Sequence, residues 1–261
     1  MQDTIDLDRY PLDRPGTPAW EDLVANCRRT LDADGLFNLP GFLRPAALAA
    51  AVAEVRPVLD TAAFTHEREH NIYFQPRVEG LAADHPALTR FRTRNRTVCA
   101  DQMGAALVVR LYEWPPFAAF LAAAMGKARL WTMDDPLARV NVMAYGDGDT
   151  LNWHFDRSEF TTTLLLQAPE GGGAFEYAKD LRGDGDPNHD GVARLIRGQA
   201  PTTVLPLEPG TLNVFRGRNT AHRATAVRGA TPRIIAVFSY YERPGVTFSA
   251  EERLGFYGRA A

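Results

Sequence analysis

Apolar and polar positions follow different periods in the two halves of this chain. After Pro45, residues Leu48, Val52 and Val55 recur at the three-to-four-residue spacing that puts side chains on one face of a helix. Proline suits the first helical turn, where its missing N–H has no partner anyway, so Pro45 marks a start and Pro57 is expected to end the helix. A second helical stretch is expected from about Gln102 to Tyr112, resuming after Pro115-Pro116 to about Met125. Upstream, residues 1–20 hold several prolines and charges and read as an irregular arm. Residues 32–43 read as a turn, a short strand and a second turn.

From Ala138 onward the character becomes that of strands. Arg139 to Tyr145 alternates and ends in Gly146-Asp147-Gly148-Asp149, a hairpin turn signal. Thr161 to Leu166, Ala174 to Tyr177, Thr202 to Leu207, Thr211 to Phe215 and Arg233 to Tyr240 are further short strands between Gly-, Pro-, Asn- and Asp-rich turns. Such spacing indicates a sandwich or barrel. Helices first and strands after predict an α+β layout with the N-terminal helices packed on one sheet. Residues 1–261 are expected to form a single domain: a mainly helical part over 1–135, a strand core over 136–245 and a C-terminal segment over 246–261. Gly183 to Gly191 is expected to be a mobile surface loop.

Composition narrows the classes of function. The chain has 261 residues, 45 % hydrophobic and 23 % charged, enough for one sizeable core. A net charge of -3 gives no electrostatic case for nucleic acid or an anionic membrane surface. The N-terminus lacks the apolar run of a signal peptide, and no apolar stretch approaches the roughly 20 residues of a membrane helix. Cys27 and Cys99 fit neither a CxxC nor a zinc pattern and read as buried thiols in a reducing compartment. A cytoplasmic protein, monomer or homodimer, acting on a small molecule is the expectation.

The chemistry concentrates at Trp153-His154-Phe155-Asp156 and at His222, which follows Asp156 by 66 residues. On a strand, positions i and i+2 point to one face, so His154 and Asp156 are directed together, and a neighbouring strand can bring His222. Two imidazoles and one carboxylate on one face of a metal leave the opposite face open, as in non-haem Fe(II) sites. Arg233, 11 residues after His222, opens an apolar strand, and an arginine in such an interior needs an anionic partner. Its planar fork suits a carboxylate. From the ligands alone, a hydrolytic zinc site and a non-catalytic metal-binding domain remain open.

Taken together, His154-x-Asp156, His222, Arg233, the Pro209-Gly210-Thr211-Leu212 strand and the Val227-Arg228-Gly229 turn resemble the Fe(II)/2-oxoglutarate-dependent oxygenases. The Gly35 to Leu43 segment looks like a strand that many bacterial members share. Leu151 to Asp156 and Ser239-Tyr240-Tyr241-Glu242 look most like a bacterial group of free-amino-acid hydroxylases and radical halogenases. The resemblance implies a double-stranded β-helix (jelly-roll, cupin-like) core and the use of Fe(II), 2-oxoglutarate and O2. It implies that His154, Asp156 and His222 are iron ligands and that Arg233 holds the distal carboxylate of 2-oxoglutarate. Tyr145 and Thr163 are candidates for further hydrogen bonds to it. Halogenases of the group carry Gly or Ala in place of the ligand carboxylate, so Asp156 implies hydroxylation of an aliphatic C–H, with release of succinate and CO2. Desaturation or cyclisation at the same site is the alternative outcome. For an amino-acid-like substrate, Arg157, Arg92 and Arg94 are candidate anchors, and Tyr73 is a candidate wall of the pocket.

Overall fold

The strand-rich half folds into antiparallel sheets whose alternation separates a helix-covered core from a polar interior. The computed structural model describes residues 1–260. In chain order the helices are α1 (Pro18–Asp34), α2 (Pro45–Ala62), α3 (Ala100–Met103), α4 (Leu107–Glu113), α5 (Pro115–Ala124), α6 (His189–Ile196) and α7 (Ala250–Tyr257). The strands are β1 (Leu36–Leu39), β2 (Phe64–His70), β3 (Phe91–Cys99), β4 (Trp131–Thr132), β5 (Val140–Tyr145), β6 (Leu151–His154), β7 (Thr161–Gln167), β8 (Phe175–Ala178), β9 (Thr203–Leu205), β10 (Leu212–Phe215), β11 (Ala221–Ala224), β12 (Arg233–Phe238) and β13 (Tyr240–Tyr241). A seven-stranded sheet runs β1-β10-β7-β12-β5-β3-β2, and a four-stranded sheet runs β6-β11-β8-β9. No helix among the described residues is long and apolar enough to cross a membrane.

Because successive strand residues point to opposite faces, each strand of the large sheet has two roles. Val140, Val142, Ala144, Leu164, Leu166, Val214, Ile234 and Ala236 join the main core with residues of α1, α2, α4 and α5. Residues of the opposite parity, among them Tyr145, Thr163, Asn213 and Arg233, are buried on the other side. There the small sheet approaches: Phe175 of β8 packs on Phe215 of β10 with ring centroids 4.9 Å apart.

Three expectations need correction. Pro57 does not end α2, which continues to Ala62; its ring is exposed while Val55 and Leu59 are buried, so the apolar face carries the helix across it. The N-terminal part is not only helical, because β2 and β3 extend the large sheet, so a boundary at residue 135 would cut through it. Their outward faces are charged, with Glu67 of β2 paired to Arg92 and Arg94 of β3, which hides the strand pattern. The stretch from Gly183 to Gly191 runs directly into α6, which Asn188 caps by accepting from the Gly191 N–H at 3.1 Å.

One buried carboxylate fixes the segment that closes over this interior. Asp135 is fully buried. Its Oδ1 accepts from the Leu137 and Ala138 N–H groups at 2.9 and 3.0 Å. Its Oδ2 accepts from the Phe248 N–H and from Arg253 Nε, both at 2.9 Å. Burial opposes the charge, but the three N–H donors and Arg253 outweigh it and hold the carboxyl below its ordinary range. The result ties residues 246–258 to the entry of β5, where Tyr257 donates to Asn141 Oδ1 at 2.9 Å. A depressed carboxyl contributes stability that is present above its unfolded pKa, near 4, and is lost as pH falls through the folded value. Asp135→Asn is therefore expected to cost about 3 kcal/mol in urea unfolding near pH 7. It should speed amide exchange at Phe248 and flatten the acid limb of the stability curve; an unchanged exchange rate would show that the clamp does not hold this segment.

Candidate metal centre

Cross-strand pairing brings the two histidines together. His154 ends β6 and stands directly opposite His222 of β11, with ring centroids 4.1 Å apart. Asp156 lies just beyond the strand, fixed by its N–H donating to the Gly217 carbonyl at 2.9 Å. Its Oδ1 is 3.5 Å from His154 Nε2, and its Oδ2 is 3.3 Å from His222 Nε2. One donor atom from each residue lies within 4.8 Å of the others, the one such cluster of three His, Cys, Asp or Glu side chains among the described residues.

The surroundings prepare these atoms as ligands. Each Nδ1 sits against a backbone carbonyl, Asn152 O at 2.8 Å for His154 and Thr220 O at 3.0 Å for His222. A carbonyl only accepts, so each ring carries a proton on Nδ1 and turns Nε2 towards the Asp156 carboxylate, the place a metal would take. Burial, and then the neighbouring His222, lower the pKa of His154 and keep that ring neutral. Burial opposes the charge of Asp156, but the facing histidines hold its carboxyl well below the ordinary range. Phe215 and Phe175 flank His222, with centroids 4.7 and 5.7 Å away, and Phe74 lies 5.7 Å from His154. This apolar collar surrounds the two buried rings, while the Asp156 carboxylate keeps partial contact with solvent.

Arg233 opens β12, paired in register with Tyr145 of β5. Its side chain is 4 % exposed, and its guanidinium lies 5.6 Å from the Tyr145 ring centroid. Among the described residues no carboxylate pairs with it; burial lowers its pKa, and Tyr145 is the only titratable neighbour acting on it. Gly173 makes the space, because a Cβ there would stand 3.1 Å from Arg233 Cδ and 2.8 Å from Pro169 Cγ. The Tyr145 hydroxyl has only the Met143 sulfur, at 3.6 Å, as acceptor. Thr163 faces the same interior, its hydroxyl in a long contact of 3.4 Å with the Asn213 carbonyl. Both amide atoms of Asn213 are buried without a partner.

The other sequence candidates are placed differently. Arg92 and Arg94 alternate with the buried Thr93, Asn95 and Thr97, so they point away from the interior. Arg92 pairs with Glu67 at 2.8 Å, and Arg94 with Asp149 at 2.9 Å, which braces the turn before β6. They are corrected to structural ion pairs. Tyr73 is corrected as well: it stacks on Phe155 in the cluster that holds Trp153, on the face of β6 opposite His154. Arg157 stands at the rim, ion-paired with Glu252 of α7.

Four further residues line or brace the site. Thr161 donates to Asp156 Oδ2 at 2.5 Å. Gly217 leaves room for that carboxylate, since a Cβ there would lie 2.3 Å from Oδ2. Phe74 takes a left-handed backbone, φ 55°, which turns its ring to the site where Tyr73 turns away. Arg68, the fourth, stacks on Phe74 with its guanidinium 4.1 Å from the ring centroid. Strand parity was the available signal for Arg68, had β2 been recognised; a lone Thr or Gly carries no motif.

Thr161→Val is expected to weaken binding of Co(II), used as a spectroscopic probe, by about ten- to a hundredfold with little change in melting temperature. Unchanged affinity would show that the hydroxyl does not orient the Asp156 carboxylate.

Comparison with known proteins agrees with this geometry. Solved structures share the fold at low identity. The epimerase SnoN from nogalamycin biosynthesis, described as non-haem and α-ketoglutarate dependent, matches with a TM-score of 0.59 and 18 % identity, over 84 % of this chain and 81 % of that one. The carbocyclase SnoK from the same biosynthesis matches with a TM-score of 0.57 and 15 % identity, over 85 % of each chain. A 2OG-Fe(II) oxygenase family protein from Burkholderia pseudomallei matches with a TM-score of 0.52 and 17 % identity, over 85 % of this chain and 92 % of that one. A search of curated proteins returned no match. The family model for Halogenase D matches residues 19–251, nearly the whole length described above, and the chain belongs to that family.

Proposed function

We propose that this chain is an Fe(II)- and 2-oxoglutarate-dependent oxygenase, built on a double-stranded β-helix core, that hydroxylates an aliphatic C–H of a small molecule, an amino acid or its derivative. The observation that carries the reading is Arg233: a buried cation with no carboxylate partner among the described residues, in the same interior as a two-histidine, one-carboxylate cluster. Leaving such a charge unpaired is costly, and a dicarboxylate that reaches from the cluster to the guanidinium removes the cost. A hydrolytic or purely structural metal gives Arg233 nothing to do.

The donor set fits the metal. Imidazole and carboxylate donors suit Fe(II), and three protein ligands leave positions open. Bound there, iron with 2-oxoglutarate and dioxygen supplies the oxidation of an unactivated C–H and releases succinate and CO2. The protein's own part is placement. Arg233 would take the far carboxylate through two N–H donors. The Tyr145 hydroxyl, with only a sulfur acceptor, is available to donate to the same group. Burial pushes that hydroxyl's pKa up to about 12, so it stays protonated as a donor at neutral pH. Thr163 lines the interior beside them. Phe74, Phe175 and Phe215 keep water from the histidines, and product selectivity follows from which C–H the pocket holds nearest the metal.

The family's name points to halogenation, but Asp156 supports hydroxylation. Its carboxylate fills the third protein position, fixed by Thr161 and accommodated by Gly217, so the place a halide would need is taken. Desaturation or ring closure is distinguished by product mass, two units lighter than substrate in place of sixteen heavier.

Anaerobic titration with Fe(II) and 2-oxoglutarate is expected to give the weak visible band of the metal–keto acid chelate. Arg233→Ala should raise the 2-oxoglutarate concentration needed by about ten- to a hundredfold, the loss of charged hydrogen bonds. Metal binding without a band would overturn the cosubstrate assignment.

A further inference from the structure

A second guanidinium without an ion-pair partner among the described residues lies one aromatic ring away from the metal cluster. Arg68 projects from the inward face of β2, and its Nε is buried without a hydrogen-bond partner. Its guanidinium lies 4.1 Å from the Phe74 ring centroid and 5.7 Å from that of Phe256. Phe74 in turn lies 5.7 Å from His154, so one ring separates Arg68 from a metal-ligand candidate. Arg157 approaches Phe256 from its own side at 5.5 Å. Burial, and then repulsion from Arg157, lower the Arg68 pKa. No carboxylate among the described residues forms an ion pair with Arg68, whereas Arg157 has Glu252.

The charges around this wall are lopsided. His66 and His70 flank Arg68 on β2, and both have pKa values lowered to about 4, chiefly by burial, so both are neutral at physiological pH. Two carboxylates reach the wall, and both are committed: Asp156 to the histidine pair and Glu252 to Arg157. Among the described residues the wall thus offers Arg68 as an available cation beside aromatic rings and no available anion. A ligand's acid group would be paired there, whereas a buried ammonium at its other end would meet no counter-charge.

We propose that Arg68 is the recognition residue of the substrate pocket, and that the substrate is an organic acid whose carboxylate meets Arg68 and whose far end, presented to the metal, is apolar and uncharged. This rests on the oxygenase reading for the reaction, but not for the binding. Phe74 and Phe256 flank the apolar body, and the separation between Arg68 and the histidines sets which carbon reaches the metal.

The test uses full-length protein loaded anaerobically with Fe(II) and 2-oxoglutarate, titrated with four six-carbon probes: L-norleucine, hexanoate, L-lysine and hexylamine. Perturbation of the chelate band reports binding near the metal without turnover. Norleucine and hexanoate are expected to shift the band. Lysine should bind at least tenfold more weakly than norleucine, and hexylamine should leave the band unmoved. Arg68→Met should weaken both acids by about ten- to a hundredfold, with Arg68→Lys restoring part of the loss, while the chelate band itself stays as in wild type. Absence of the band in wild type would overturn the oxygenase reading. A normal band that lysine or hexylamine shifts more readily than norleucine, that no acid shifts, or that responds to both acids unchanged in Arg68→Met would overturn the present inference alone.

Discussion

A full positive charge sealed inside the protein without an anion of its own is the constraint on which the rest of the site depends. Arg233 is 4 % exposed, and among the described residues no carboxylate pairs with it. Folding tolerates this because the guanidinium lies against Tyr145 and in the space left by Gly173. It remains a debt until an anion arrives. The metal cluster has the complementary character: two imidazoles and one carboxylate converge on a place for a cation. A molecule with an acid at one end and a chelating acid at the other satisfies both demands at once, so the two halves of the interior prescribe a single occupant.

Strand alternation makes such an interior affordable in stability. The large sheet gives every second residue to a conventional apolar core under α1, α2, α4 and α5, and burial of that core offsets the cost of the polar face behind it. The small sheet then needs to contribute little beyond the paired histidines of β6 and β11. Precision comes from backbone: carbonyls orient both rings, and the Gly217 carbonyl fixes the Asp156 peptide.

Much of this is legible in the sequence, for identifiable reasons. His154, Asp156, His222 and Arg233 are legible because rare chemistry at fixed spacing on strands has few other uses. The α+β layout follows from the change in hydrophobic period near Ala138. What escapes is what depends on parity or on a single dihedral. Arg92 and Arg94 lie one step out of phase with the interior-facing side of β3. Arg68 lies in phase on β2, but its strand is so charged that it does not read as one. Tyr73 and Phe74 are adjacent aromatics, and only the left-handed backbone at Phe74 decides which faces the histidines. Thr161 and Gly217 act through one hydrogen bond and one missing methyl group, which no spacing announces.

The clamp at Asp135 has a consequence for the order in which the site is assembled. The ligands and Arg233 all precede residue 234, whereas Glu252, Phe256 and Tyr257, which contact Arg157, Arg68 and Asn141, follow it and belong to a segment tied down by a carboxylate far upstream. During synthesis on the ribosome the ligand residues therefore emerge before the helix that docks beside them. The docking of α7 onto β2 and β3 joins elements from the two ends of this order, so that part of the wall is completed last.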